Sequence, residues 1–510
     1  MKRLSKNVWT PLALVVAIGG GSLANAQTVE TNLDSAAAPN ATEKKEAPST
    51  KKVTWGPLIV SGNWRARGEG WDWFEDGNGD SNYGYGHSLF RVAIGQQGER
   101  LEWRLESAQD TIFALPDNAV APAPQGQLGF GGAYFAANGN TVNSFNGFVR
   151  EAFVRFKKLG NGNLQIGRFE FQDGTEVIPA DVTLASLVRT RVAQRLVGNA
   201  GWSAVGRSFD GAQFSYNFGK NNLTFMGARP TRGVYQVDSM GELDIGVFSG
   251  SFTMPFGNVQ HPGEVRVFGM GYIDGRASVL KSDNRPQAVR AADHGSISIA
   301  SYGLDYLQVF NTRKSGKFDV LLWEVLQAGS WGVQSHSAGA FFGEFGWQPP
   351  ENRIKPWISA GYSYSSGDNN PYDSHHGTFF QMIPTARAYA QFPFYNMMNN
   401  EDLYATLVLR PTSKLSLRSE LHSLKLSSSS DLWYAGTGPY QPKTFGYTGR
   451  PSGGNSSLAT VADVSADYKF TRSFGVNFYY ARAWGKTVVA KIYPGESEGQ
   501  LAYAETILRF

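Results

Sequence analysis

The chain has 510 residues, 59 of them glycine and none cysteine, with 13% aromatic residues and a mean hydropathy of -0.30. The absence of cysteine excludes disulfide staples, thiolate metal sites and thiol nucleophiles, and the polar balance excludes a bundle of membrane helices. The net charge is +4, but Lys2, Arg3 and Lys6 account for three of the 47 basic residues, so the remainder carries 44 basic against 43 acidic groups. A balance of +1 names no partner by bulk charge and leaves no nucleic-acid footprint.

In chain order, the first signal is a basic start followed by the apolar run Val8 to Ile18 and the small-residue site Ala24-Asn25-Ala26. This predicts a cleaved signal peptide over residues 1–26. Residues 27–56 are polar, poor in aromatics and read as a flexible periplasmic leader. From residue 57 to 510 the texture is uniform, and no later stretch approaches the roughly 18 apolar residues of a membrane helix.

That long region alternates. Leu101, Trp103 and Leu105 oppose Glu102, Arg104 and Glu106; Val265 and Val267 oppose Glu264 and Arg266. Leu415, Leu417 and Leu421 oppose Ser416, Arg418, Glu420 and His422, and Val464, Ala466 and Tyr468 oppose Asp463, Ser465 and Asp467. Period two gives each strand one apolar and one polar face. About 18 such runs occur, at about 25 residues each with their turns, which suits a membrane barrel. The polar faces carry Arg with Glu, as a water-filled lumen would. The last run ends with Ala502, Ala504, Leu508 and Phe510 on one face and Tyr503, Glu505 and Arg509 on the other. A terminal Phe on such a strand resembles the signal read by the barrel assembly machinery. The expected fold is therefore all-β: an antiparallel transmembrane β-barrel in the outer membrane of a Gram-negative cell, with long extracellular loops.

Alternation places Arg65, Arg67, Arg91, Arg104, Arg266, Arg418 and Arg509 inward. Two stretches break the pattern. Residues 111–147 are rich in Gly, Ala and Pro, and residues 174–207 carry Arg189, Arg191, Arg195 and Arg207 without strand character. Both read as long loops, the second a candidate for folding inward as a constriction.

Four stretches carry a family resemblance. They are FVREAFVRF from residue 148 with IGRFEFQDG from 166, WSAVGRSFDGAQFSY from 202, the SSGDNNP, GTF and PT landmarks between 360 and 390, and LRPTSKLSLRSELHSL from 409 closing on DLWY. In this order the chain resembles the alginate export family of outer-membrane porins. The resemblance implies an 18-stranded barrel with a narrow, arginine-rich constriction that passes a linear polyuronate. It adds Arg150, Glu151, Arg168, Asp173, Arg207 and Asp210 to the candidate pore residues, with the facing of Arg150 and Arg168 left open by alternation. Guanidiniums stay charged and pair bidentately with carboxylates, so the expected solute is an anionic polysaccharide or oligosaccharide, with small anionic sugars or organic acids as the alternative. Periplasmic export partners and outer-membrane lipid complete the expected contacts.

The histidines invite an enzymatic reading. Ser335-His336-Ser337-Ala338-Gly339 resembles the His, Ser and Gly motif of outer-membrane phospholipases, but Ala338 replaces a polar residue and no orienting acid is near in sequence. His375 and His376 with Asp368 and Asp373 could hold a metal, yet adjacent side chains on an extended backbone diverge. Gly77 to Asp80 has only part of a calcium loop. The reading is a pore with no catalytic residues, no metal and no cofactor.

Overall fold

The structure, a computed structural model, describes residues 53–510 apart from 76, 78, 277–278, 313, 351–352 and 436–446. The expected signal peptide, and all but the end of the expected leader, lie outside the described residues.

Among the described residues, eighteen strands form the wall. They are β1 (Leu58–Asp72), β2 (Asn82–Gln97), β3 (Leu101–Phe113), β4 (Ser144–Leu159), β5 (Gly162–Phe169) and β6 (Phe209–Phe218). Next come β7 (Asn221–Pro230), β8 (Ile245–Gly257), β9 (Pro262–Asp274), β10 (Ile297–Thr312), β11 (Gly316–Trp331) and β12 (Gln334–Gln348). The last are β13 (Trp357–Ser365), β14 (Glu401–Leu409), β15 (Leu415–Lys425), β16 (Ser457–Lys469), β17 (Phe474–Gly485) and β18 (Glu498–Arg509). Each pairs antiparallel with its sequence neighbours, and β18 returns to β1 from Asn63↔Arg509 to Asp72↔Gln500. Closure leaves no open sheet edge for another chain to extend.

The faces follow the alternation. Leu105, Ile166, Phe225, Val267, Leu326, Leu403, Leu421 and Val464 are exposed on the outside, where lipid would cover them. Phe510 is also outward. It stacks on Phe90 at 6.4 Å and exchanges main-chain hydrogen bonds with Gly62. A Cβ at Gly62 would lie 2.5 Å from the Arg91 carbonyl oxygen as well as from the Phe510 ring, so glycine is favoured there. Connections at the end holding Phe510 are short, as at 98–100, 160–161 and 219–220; at the other end they are long, as at 114–143, 170–208, 366–400 and 426–456. Short periplasmic turns and long outer loops orient the barrel. Leu432–Ala435 pairs with Thr448–Pro451 inside the last of these loops and is not part of the wall.

The wall departs from strict alternation between β3 and β4. Glu106 opposes Glu151 and Ser107 opposes Val149, so Arg150 is an extra residue in a β-bulge. Arg150 and Glu151 are consecutive yet both buried on the lumen side. This settles the facing that the sequence left open for Arg150.

The core lies inside the barrel, because long loops fold into it. Residues 114–143 carry helix α1 (Gly129–Ala137), whose Tyr134 packs on Tyr235 at 5.1 Å. Residues 170–208 carry helix α2 (Val182–Leu187), started by the Asp181 carboxylate, which accepts hydrogen bonds from the Thr183 and Leu184 amides. Residues 366–400 bury Phe379, Phe380, Met382 and Ile383 completely. The latter two loops pair with each other in mid-lumen: Gly198 N donates to Ile383 O, Ile383 N to Leu196 O and Thr385 N to Gln194 O, at 2.9–3.0 Å. Loop backbone at membrane depth survives only when its polar groups are satisfied in this way.

Candidate functional site: a basic lumen

Two cavities lie along the lumen. The first, about 160 Å³, is lined by Arg65, Arg67, Arg189, Arg387, Arg418 and Arg509 against only Asp467 and Glu505, with Trp202, Gln194, Gln391, Asn477 and Tyr503. The second, about 410 Å³, opens toward the short turns and is lined by Lys355, Arg410, Lys414, Arg418, Lys469 and Arg191 against Glu344 and Asp467. Arg418 and Asp467 line both.

The guanidiniums are held in place. Arg67 is bound by Glu505 (2.6 Å) and Glu69 (3.1 Å) and lies over the Tyr503 ring at 4.8 Å. Arg65 donates to the carbonyls of Gly201 and Ser203 and lies 3.7 Å from Glu505. Arg387, from the 366–400 loop, donates to Tyr503 Oη at 2.5 Å and lies over the rings of Tyr479, Tyr503 and Trp202 at 4.9–5.8 Å. Arg191 fixes its loop to the wall through Glu344 (2.8 Å) and Glu420 (2.9 Å), which Arg418 also contacts at 2.6 Å. The predicted inward loop is therefore inside the barrel.

The other candidates divide by how completely they are compensated. Arg91 and Arg104 share Glu106, Arg104 also contacts Glu151 at 2.6 Å, and Arg150 and Arg91 converge on Glu170. Arg266 lies between Asp305 (2.9 Å) and Glu176 (2.8 Å). These groups brace the wall and the start of the 170–208 loop and do not line either cavity. Asp173 fastens that loop to itself, accepting the Leu196 amide at 3.4 Å. Arg207 is fully enclosed between the two inward loops, with Nη1 3.5 Å from Ile383 O.

Arg168 and Asp210 correct the candidate set. Arg168 pairs across the sheet with Ala152 and shares the outer face with Ile166 and Val154. It binds Asp210 (2.6 Å) and Met240 O (2.8 Å) outside the lumen. The bulge at Arg150 shifts β4 by one residue, so the motif residues of β4 face inward while those of β5 and β6 face out. Pairing with Asp210 and with the Met240 carbonyl offsets the cost of an outward-facing guanidinium on the barrel wall.

Sequence reading missed Arg387, Lys355, Arg410 and Lys414. They stand in a loop and in turns, where alternation has nothing to say. The only signal was composition: FFQMIPTARAYAQFPFYNMM is too apolar for an exposed loop.

The histidines do not form the sequence-suggested sites. His336 points inward and meets His376, Nδ1 to Nδ1 at 2.9 Å, while Ser337 is exposed on the outer face. Ser337 Oγ lies 3.3 Å from His375 Nε2, but His375 Nδ1 faces the Ser335 hydroxyl at 3.4 Å, not a carboxylate. Asp368 and Asp373 accept main-chain amides of Gly377 and His375.

An apolar outer belt, a polar lumen and inward loops define an outer-membrane porin-type barrel of a Gram-negative envelope. Solved structures of that class share the fold. OccK9 (OpdG) of Pseudomonas aeruginosa aligns at a TM-score of 0.56 and 10% identity, over 89% of this chain and 99% of that one. OccAB3 of Acinetobacter baumannii aligns at 0.54 and 8%, over 89% and 100%, and Pseudomonas aeruginosa OpdK with vanillate at 0.53 and 9%, over 88% and 98%. No curated protein matches the chain. The family model for alginate export matches residues 143–488, and the chain belongs to that family.

Proposed function

We propose that the protein is an anion-selective pore that exports an acidic polysaccharide such as alginate. One observation carries this reading: the first cavity presents six arginines to two carboxylates and is continuous in its lining with a second basic cavity at the periplasmic mouth. In a narrow, partly desolvated passage, fixed guanidiniums attract carboxylates more strongly than in bulk water. The acids that compensate Arg67 and Arg191 limit the depth of the trap, as conduction requires release. Family membership supports a polyuronate as the solute.

A second reading is a porin for small anionic sugars or organic acids. The cavity of about 160 Å³ favours it, and so does the fold shared with OpdK, whose structure with vanillate shows an aromatic acid bound to a barrel of this kind. On either reading the pore works without catalysis and Phe510 is the contact for the assembly machinery; on the export reading, periplasmic export partners meet the basic mouth.

Bilayer recording separates the two. The expected result is anion-selective chloride current, blocked more strongly by an oligouronate as its length increases. Block by the monomer alone, with no gain from length, would support the small-anion porin. Cation-selective current indifferent to uronates would remove both.

A further inference from the structure

One group of lumen side chains has no part in lining the cavities. Asp402 on β14, Glu420 and His422 on β15 and Asp463 on β16 sit side by side on the inner wall, each at most 5% exposed. His422 Nδ1 is bound to Asp402 Oδ2 at 2.8 Å, a contact that fixes the ring and, when Nδ1 carries the proton, leaves Nε2 as a lone pair. Nε2 points at Glu420 Oε2 across 3.9 Å, too far for a hydrogen bond. Glu420 uses Oε1 for Arg191, Arg418 and Thr406, so Oε2 remains turned toward the histidine. Asp463 contributes a carboxylate whose Oδ2 accepts only the Tyr479 hydroxyl, at 3.0 Å. Ligand atoms of Glu420, His422 and Asp463 all lie within 4.8 Å of one another.

Four buried carboxylates, Glu344, Asp402, Glu420 and Asp463, gather around Arg191, Arg418 and the His422 ring. Asp402 Oδ1 is in addition buried without a hydrogen-bond partner. Buried carboxylates are paired or coordinate a metal.

We infer that Glu420, His422 and Asp463 form a binding site for one divalent first-row transition ion of the zinc type, with Asp402 as the residue that orients the histidine. One imidazole and two carboxylates suit such an ion better than a hard cation. Because Glu420 also holds Arg191, the site lies at the anchor of the inward loop. The inference is independent of which solute the pore carries.

The test uses the full-length purified barrel, stripped with chelator, desalted and loaded with Zn²⁺ or Co²⁺. Elemental analysis should find one Zn²⁺ per barrel, and Co²⁺ should give visible absorption bands. His422→Gln and Asp463→Asn should abolish both signals, and Asp402→Asn should weaken affinity about 10- to 100-fold. His336→Gln should leave them unchanged. Heat-modifiable migration checks that each variant is folded. Should a variant fail to fold, diffraction at the zinc edge from wild-type crystals decides, with a peak expected between His422, Glu420 and Asp463. Loss of binding in His336→Gln, no stoichiometric uptake, or no peak at that position would show that His422 only bridges Asp402 and Glu420 as an ion pair, and would overturn the site.

Discussion

The periplasmic half of the lumen and its extracellular half are walled by the same strands but filled differently. Toward the short turns the passage is open and basic, with Lys355, Arg410, Lys414, Lys469 and Arg509 at the mouth and Arg418 further in. Toward the long loops it is packed with aromatics: Trp71, Phe130, Phe392, Phe394 and Trp433 form one buried cluster. Full burial of Phe379, Phe380, Met382 and Ile383 contributes about 1.5–3 kcal/mol each, so the 366–400 loop is held as a packed element and does not swing as a free lid. Basic charge and apolar obstruction are thus separated along the axis. The charge is placed by strands, turns and a loop, the obstruction by apolar side chains.

The largest effect should come from removing the obstruction. Replacing residues 378–398 with a short Gly-Ser linker should raise single-channel conductance severalfold in a bilayer while the barrel still migrates as heat-modifiable. Unchanged conductance would place the narrowest point elsewhere and break the comparison.

Next in size is the loop anchor. Arg191→Ala leaves Glu344 buried without its ion-pair partner, while Glu420 keeps Arg418, at a cost of about 3–5 kcal/mol. Hydrogen exchange should become faster across residues 182–197, and current noise should rise. The double variant that also carries Glu344→Gln should recover most of the protection, because the unpaired charge is gone.

A smaller effect is expected at the basic mouth. Lys355→Gln, Lys414→Gln and Lys469→Gln each remove one charge acting at about 7 Å through water, worth about 0.6 kcal/mol or roughly threefold in local anion concentration. The anion-to-cation permeability ratio, read from reversal potentials in a salt gradient, should fall stepwise across single, double and triple variants. The differences should shrink at high salt. A ratio insensitive to all three would locate selectivity wholly at the arginines.

The smallest effect is predicted for Arg168→Gln. This side chain is on the outer face, so the permeability ratio should match wild type within error. A shift comparable to the lysine variants would contradict its placement outside the lumen.

Much of the fold was readable in the residues. Period-two alternation is a property of each strand by itself, so the sequence alone determined the apolar and polar faces, the inward direction of Arg65, Arg67, Arg104 and Arg418, and the outward Phe510. The barrel class and the outer-membrane location follow from these. The tertiary structure decided the rest, because it depends on contacts between residues far apart in the chain. One extra residue at Arg150 turned two neighbours to the same face and left Arg168 and Asp210 outside. Whether an inward arginine braces the wall or faces the passage depended on which distant carboxylate it met, as Arg266 meets Glu176 and Arg191 meets Glu420. The path of the 366–400 loop, which brings Arg387 onto Tyr503, was fixed by its pairing with residues 194–198 across the lumen. Loop backbone carries no periodic signal, and its course is set only by the partners that satisfy its polar groups and cover its apolar ones.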